Sequence, residues 1–262
     1  DSRWFNGDFQ GTRSSDARGS NQRWFYWQNE NYFNYDKIID KHSFSGVLGL
    51  SWQETQMEWL EAQASNFPSN FYSYNNLNAG ANTPVALSSN QRSALNSYFA
   101  RVNYAYDGKY MLTATGRMDG SSKFGPNNKY TFFPSIGLGW TISNEEFLED
   151  SRVISNLKVR ASAGETGNQE IGSFVTQWET TFQWDIGIDL SLFNDRFNIV
   201  ADYYHKTTSD MLFNLPLPNS SAPGSAFVNL GEVENKGVEI GLATTNIQRQ
   251  NFTWNSRLTL SA

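Results

Sequence analysis

The chain has 262 residues, of which 39% are hydrophobic and 15% aromatic, and it carries a formal net charge of −6. It has no Cys and only 2 His, which excludes a disulfide scaffold and a thiolate metal site. The negative charge argues against nucleic acid, whose phosphates need a basic surface. Charged residues make up 18%, below the roughly 25% of soluble domains. No apolar run approaches the ~20 residues of a membrane helix, but a barrel strand is apolar only at alternate positions and escapes that criterion. The chain opens Asp1-Ser2-Arg3-Trp4 without a signal peptide, so an exported protein would be a mature or partial chain here.

Period two runs along the chain. Residues 22–35 fit it loosely. Phe44, Leu48, Leu50 and Trp52 then alternate with Ser43, Ser45, Gly49 and Ser51. Tyr98, Ala100, Val102, Tyr104 and Tyr106 share a face, with Phe99, Arg101, Asn103 and Ala105 on the other. Asp107-Gly108 follows, a hairpin signal because both central positions of such a turn take positive φ. The return strand sets Tyr110, Leu112 and Ala114 against Lys109, Thr113, Thr115 and Arg117. Further strands centre on Ile136 to Ile142, Leu157 to Ala163, Trp184 to Leu190, 196–206, Val238 to Leu242 and Phe252 to Leu258, giving about ten in all.

Helical signals are few. Ser143 with Glu146 predicts a capping box over one short turn, and residues 54–64 predict a second short helix, with Met57 and Leu60 three apart. Connections alternate in length. Short ones fall at 36–41, 107–108, 194–195 and 247–251, with a medium one at 144–155. Long polar ones fall at 53–96, 118–131, 165–177 and 207–236. Outer-membrane barrels alternate short periplasmic turns with long outside loops in this way.

Period alone does not separate a barrel from a soluble sandwich, since each has one apolar and one polar face. Three features lean toward the barrel. Aromatics gather near strand ends (Trp4, Trp24, Trp27, Tyr106, Tyr110, Phe132, Phe133), small residues fill the polar face, and loop lengths alternate. The competing reading is a soluble, aromatic-rich β-sandwich that binds glycans.

Several stretches are recognisable. They are Gly108 to Gly125 (GKYMLTATGRMDGSSKFG), Phe133 to Trp140 (FPSIGLGW), Leu157 to Asn168 (LKVRASAGETGN), Trp178 to Thr181 running into Gly187 to Leu190, and Gly231 to Glu239 (GEVENKGVE). In this order they resemble the C-terminal barrel half of the SusC/RagA family of TonB-dependent transporters, over most of the chain from about residue 42. The resemblance implies an all-β fold: an antiparallel up-and-down transmembrane β-barrel, of which residues 1–262 form about ten strands of a larger, plugged barrel of about 22 strands. It implies a place in the Gram-negative outer membrane and import of oligosaccharides or peptides. The implied partners are a SusD-like surface lipoprotein, the TonB complex acting through a plug, outer-membrane lipid and the substrate. Neither a cofactor nor a catalytic activity is implied. The plug, the remaining strands and a terminal aromatic strand are expected to lie outside this chain.

Candidate contact residues follow from chemistry. The run Met118 to Gly125 reads as a binding loop or as a tight loop tied down by Asp and Ser, and this makes Arg117 and Asp119 candidates. Loop 53–96 carries Trp59, Phe67, Phe71, Tyr72 and Tyr74 among Asn and Ser, a mixture in which rings stack and amides hydrogen-bond. The bland alternative is a loop that packs on its neighbours. His42 and His205 have no ligand-like spacing and read as strand-end polar residues.

Overall fold

The computed structural model describes residues 2–6, 15–71, 73–125, 127–169, 178–216 and 225–262. Among the described residues thirteen strands run in chain order: β1 (Ser2–Asn6), β2 (Asp16–Ile39), β3 (His42–Ser65), β4 (Val85–Tyr106), β5 (Tyr110–Ser121), β6 (Tyr130–Thr141), β7 (Ile154–Asn168), β8 (Glu179–Leu192), β9 (Phe197–Ser209), β10 (Leu212–Pro216), β11 (Ser225–Asn229), β12 (Glu232–Arg249) and β13 (Phe252–Ser261). Eleven form one sheet in the order β1 to β9, then β12 and β13, while β10 and β11 pair separately. The ten strands expected from periodicity are β2 to β9, β12 and β13. The three that periodicity missed are 5 residues each, too short to show a period.

The chain divides into two compact units. Unit 1 comprises residues 1–29 and 53–94. Its small core is Ala17, Ala64 and Phe67, with Leu77 and Ala79 packed against it. Ser15 ties this core together, accepting from the Phe67 N–H at 2.8 Å through its hydroxyl and from the Asn66 N–H at 2.7 Å through its carbonyl. The predicted helix over 54–64 does not form. Those residues continue β3 to Ser65, and the predicted loop 53–96 shrinks to 66–84, which holds two 3-10 turns at Ser73–Asn75 and Leu77–Ala79. β3 lies between β2 and β4 in the sheet and hydrogen-bonds to both, whereas one isolated helical turn leaves its end groups unpaired.

Unit 2 comprises residues 30–52 and 95–262. Its cross-strand register lines side chains up in rows. One row reads Tyr104, Leu112, Leu138, Ala161, Ile186, Tyr203 and Val238, and the next reads Asn103, Thr113, Gly137, Ser162, Asp185, Tyr204 and Gly237. Strand alternation sends the two rows to opposite faces. The apolar row and its parallels are open to the surroundings: Tyr98, Val102, Leu112, Ile186, Ile188, Ile240 and Leu258 are all exposed, Val102 to 54%. A sandwich would cover such a face with a second sheet. Among the described residues only the short β10–β11 pair lies outside the main sheet.

The opposite face is a hydrogen-bonded polar surface. Arg160 pairs with Asp189 at 3.0 Å and with Asp202 at 2.8 Å. Asn103 donates to Ser45 at 3.0 Å and accepts from Thr113 at 2.9 Å. Ser162 donates to Asp185 at 2.6 Å.

The short connections of unit 2 sit at one rim. At the β4–β5 turn Asp107 and Gly108 have φ of 53° and 63°, as the hairpin signal predicts, and the Lys109 N–H donates to the Tyr106 carbonyl at 2.9 Å. Neighbouring turns are bonded sideways, by the Asp107 N–H to the Lys41 carbonyl and by the Lys41 ammonium to the Asp107 carboxylate at 2.6 Å. That carboxylate holds the Lys41 ammonium above the usual lysine range. Residues 142–144 form a 3-10 turn instead of a capping box. The Ser143 hydroxyl donates to Asn156 at 3.4 Å, and Glu145 receives Tyr110 at 2.6 Å, Trp140 at 3.0 Å and Lys109 at 3.2 Å. The Tyr110 and Trp140 hydrogen bonds, followed by Lys109, hold the Glu145 carboxyl below its usual range. Rings line the same rim: Tyr106 stacks on Tyr110 and Tyr110 on Trp140, with centroids 6.4 and 6.2 Å apart. His42, the first residue of β3, joins them by bonding the Tyr104 hydroxyl at 2.8 Å.

Candidate functional site

The polar face of unit 2 carries a cavity of about 680 Å³ across β4 to β8. The strands open there. β6 and β7 are paired from Thr141↔Lys158 to Ser135↔Gly164. Beyond that point β6 stays with β5 and β7 stays with β8, out to Gly120↔Tyr130 and Asn168↔Glu179. Phe124, Phe133 and Trp178 cluster in this region with Leu95, all four buried. Phe124 stacks on Trp178 at 4.4 Å and Phe133 meets it edge-on at 5.6 Å. Gly167 makes room for them, because a Cβ there would lie 2.2 Å from Phe133 Cζ. Gly164 does the same for the strand pair, where a Cβ would lie 2.6 Å from that of Ser135.

Arg117 and Asp119 both line the cavity and hold one another. Arg117 Nε reaches the two Asp119 oxygens at 2.8 and 2.7 Å, and Nη2 donates to the Ser97 hydroxyl at 3.1 Å. The guanidinium also lies over the Phe99 ring, 6.0 Å from its centroid. Asp119 is buried and sits on β5 itself. The reading of 118–131 as one loop is therefore corrected: β5 extends to Ser121, and the connection is 122–129.

The other candidates belong to unit 1. Trp59 is half-buried on β3, not in a loop. Phe71 is 84% exposed in a turn, and Tyr74 is 40% exposed in a 3-10 turn. Tyr72 lies outside the described residues. Unit 1 has its own cavity of about 770 Å³, lined by Trp4, Arg18, Gln63 and Val85 among others; none of the candidates lines it. Beside it Arg18 forms an ion pair with Glu61, which is buried.

Sequence reasoning missed Phe124 and Trp178, which lie just outside strands where no period marks them. It also placed Phe133 in an exposed girdle. Phe132 is exposed as expected, but Phe133 is buried on the polar face, opposite Arg117. One signal was available: Phe133 is one residue out of phase with the exposed set Phe132, Ile136, Leu138 and Trp140.

With this geometry in place, comparisons with known proteins bear on it. The family model described as "TonB dependent receptor-like, beta-barrel" matches residues 1–262. TonB-dependent receptor P3 of Formosa agariphila is 40% identical, with 88% of this chain aligned to 26% of that protein. TonB-dependent receptor SusC of Bacteroides thetaiotaomicron is 33% identical, with 62% of this chain aligned to 20% of that protein. The RagAB peptide transporter superposes with a TM-score of 0.81 at 26% identity, covering 98% of this chain and 32% of that one. The chain thus spans about a quarter of the length of the curated relatives it matches. A two-faced sheet with its apolar rows exposed, matched from end to end by one barrel model, has a single home: the chain belongs to the TonB-dependent receptor β-barrel family, in its SusC/RagA type, and resides in the outer membrane.

Proposed function

We propose that this chain is a segment of barrel wall in a TonB-driven importer of oligosaccharides or peptides. Its apolar rows face lipid, its polar rows face a lumen, and the remaining strands and the plug come from the same longer polypeptide. The observation that carries this reading is the pair of opposed rows together with a main sheet that, among the described residues, ends at β1 and at β13 and does not close. β13 ends the strand order, and β1 pairs with β2 only between residues 16 and 20. Unpaired peptide groups in hydrocarbon cost several kcal/mol each, so strands from elsewhere must complete both edges. The relatives, about four times longer, have the length to supply them. The name of the RagAB peptide transporter supports a peptide cargo, and the resemblance to the SusC/RagA type suggests a SusD-like lipoprotein lid as partner.

The test is membrane fractionation followed by intact-mass measurement of the natural protein. We expect a detergent-requiring outer-membrane protein several times heavier than 29.7 kDa. A 29.7 kDa monomer, stable without detergent, would overturn the proposal.

A further inference from the structure

We propose that a groove along β7, on the apolar face, holds one acyl chain of a phospholipid whose headgroup carries a free ammonium, and that the acidic connection 142–153 receives that ammonium. This rests on the barrel-wall reading and adds a fixed lipid to it. A cavity of about 450 Å³ is lined by Tyr110, Leu138, Trp140, Val159 and Ala161, all of them on the apolar face. Its relief comes from side-chain size. The floor, on β7, is Val159, Ala161 and Ala163, small and half-buried. Larger exposed side chains stand on both sides: Ile136, Leu138 and Trp140 on β6, and Ile186 and Ile188 on β8. Two strand spacings of about 4.8 Å set these walls about 10 Å apart, the width for one hydrocarbon chain. From Leu157 to Ala163 the floor runs about 20 Å at ~3.4 Å per residue. Tilted at about 45°, that rises about 14 Å, close to half of a ~30 Å hydrocarbon core and so to one leaflet. The end at Tyr110 and Trp140 meets the rim of short turns, which is the periplasmic rim of an outer-membrane barrel.

Apolar surface alone does not select a lipid, because lipid chains are as apolar as the wall. Shape and charge select. A gap beside the floor of the groove forfeits dispersion contacts, and one ordered chain lying in it recovers them. At the rim end, the Tyr110 hydroxyl and the Trp140 indole N–H turn to Glu145, which also pairs with Lys109. The connection beyond carries Glu146, Glu149 and Asp150 as well, against the single base Arg152. Those three acids are exposed and join no ion pair among the described residues. An ammonium headgroup brings them a positive charge with three N–H donors. A choline headgroup has the charge but no donor, and a glycerol headgroup leaves the phosphate charge facing the acids.

The experiment is native mass spectrometry of the intact natural protein, delipidated in detergent and titrated with phosphatidylethanolamine, phosphatidylcholine and phosphatidylglycerol of identical chains. Phosphatidylethanolamine should be retained, and the other two should bind about tenfold more weakly. Ala161→Phe fills the groove and should weaken phosphatidylethanolamine about tenfold. Leu138→Ala lowers one wall at an exposed position, so it should leave melting in detergent unchanged while weakening retention about threefold. Ile240→Phe, on the same face outside the groove, should change nothing. Combining Glu146→Gln, Glu149→Gln and Asp150→Asn should erase the preference for phosphatidylethanolamine over phosphatidylcholine. Equal retention of the three lipids by the parent would overturn the proposal. So would retention indifferent to both Ala161→Phe and Leu138→Ala, which means bulk lipid only. Failure of the barrel-wall reading shows itself separately, in fractionation.

Discussion

Asp185 and Ile186 are neighbours in β8, and their side chains leave the sheet on opposite sides. Ile186 is 50% exposed between Ala161 and Tyr203, with no polar partner. Asp185 is half-buried and accepts a hydrogen bond from Ser162. The same contrast recurs at Leu112 and Thr113 and at Leu138 and Gly137. It teaches that exposure has a different meaning on each face. In the proposed barrel wall, exposure on the apolar face measures contact with lipid, where a charge is excluded by solvation. On the polar face it measures contact with a wet lumen, where charges persist if they find partners.

Placing a charge on the apolar face is the strongest way to break this contrast. Ile186→Arg should destabilise the folded barrel in lipid vesicles by about 2–4 kcal/mol, read by denaturant titration, if the position sits near the bilayer midplane. Asp185→Asn, one residue away, should stay within about 0.5 kcal/mol of the parent. Equal effects at the two positions would show that the faces are not solvated differently. A smaller effect comes from packing. At Gly164 an added Cβ presses on the Ser135 Cβ and lies 3.2 Å from the Pro134 carbonyl oxygen, so Gly164→Ala should cost about 1–3 kcal/mol by the same titration. Gly137→Ala, whose new Cβ would have nothing closer than 3.9 Å, serves as its control. The smallest effect is expected at the rim. The folded-state pKa of Glu145 is lowered, so its contribution is present above the ordinary carboxylate range and is lost as pH falls through the folded value. Amide-exchange protection over residues 142–153, taken relative to the intrinsic rate at each pH, should fall on acidification, and Glu145→Gln should remove that change.

Legibility in the sequence followed the solvent. Where one face meets lipid and the other water, as around Val102 or Ile186, alternation is strict and both strands and faces were readable. In unit 1 both faces of β2 are exposed over residues 21–29, and β3 mixes Glu58, Trp59, Leu60 and Glu61. With no contrast between the faces to enforce a period, 54–64 read as a helix and Trp59 as a loop residue. The candidate site was half legible. Arg117 and Asp119 stood out because a charged pair within a Gly- and Ser-rich run is conspicuous, and the structure joins them. Arg101 was assigned to one strand face and Asp185 fell within a predicted strand, but their place at two sides of one cavity depends on a register across five strands. Trp178 depends on the parting of β6 from β7, which leaves no local trace.

The strand order has a kinetic consequence. In the main sheet every strand bonds to its neighbour in sequence, and the single departure, from β9 to β12, skips only the β10–β11 hairpin. Each pairing therefore joins strands that are close in sequence, and closure entropy grows only slowly with loop length. Such a wall can zip together one hairpin at a time from either edge, with each new strand templated by the last. The long-range step is then left to the joining of the first and last strands of the complete barrel, and that seam should set the pace of assembly.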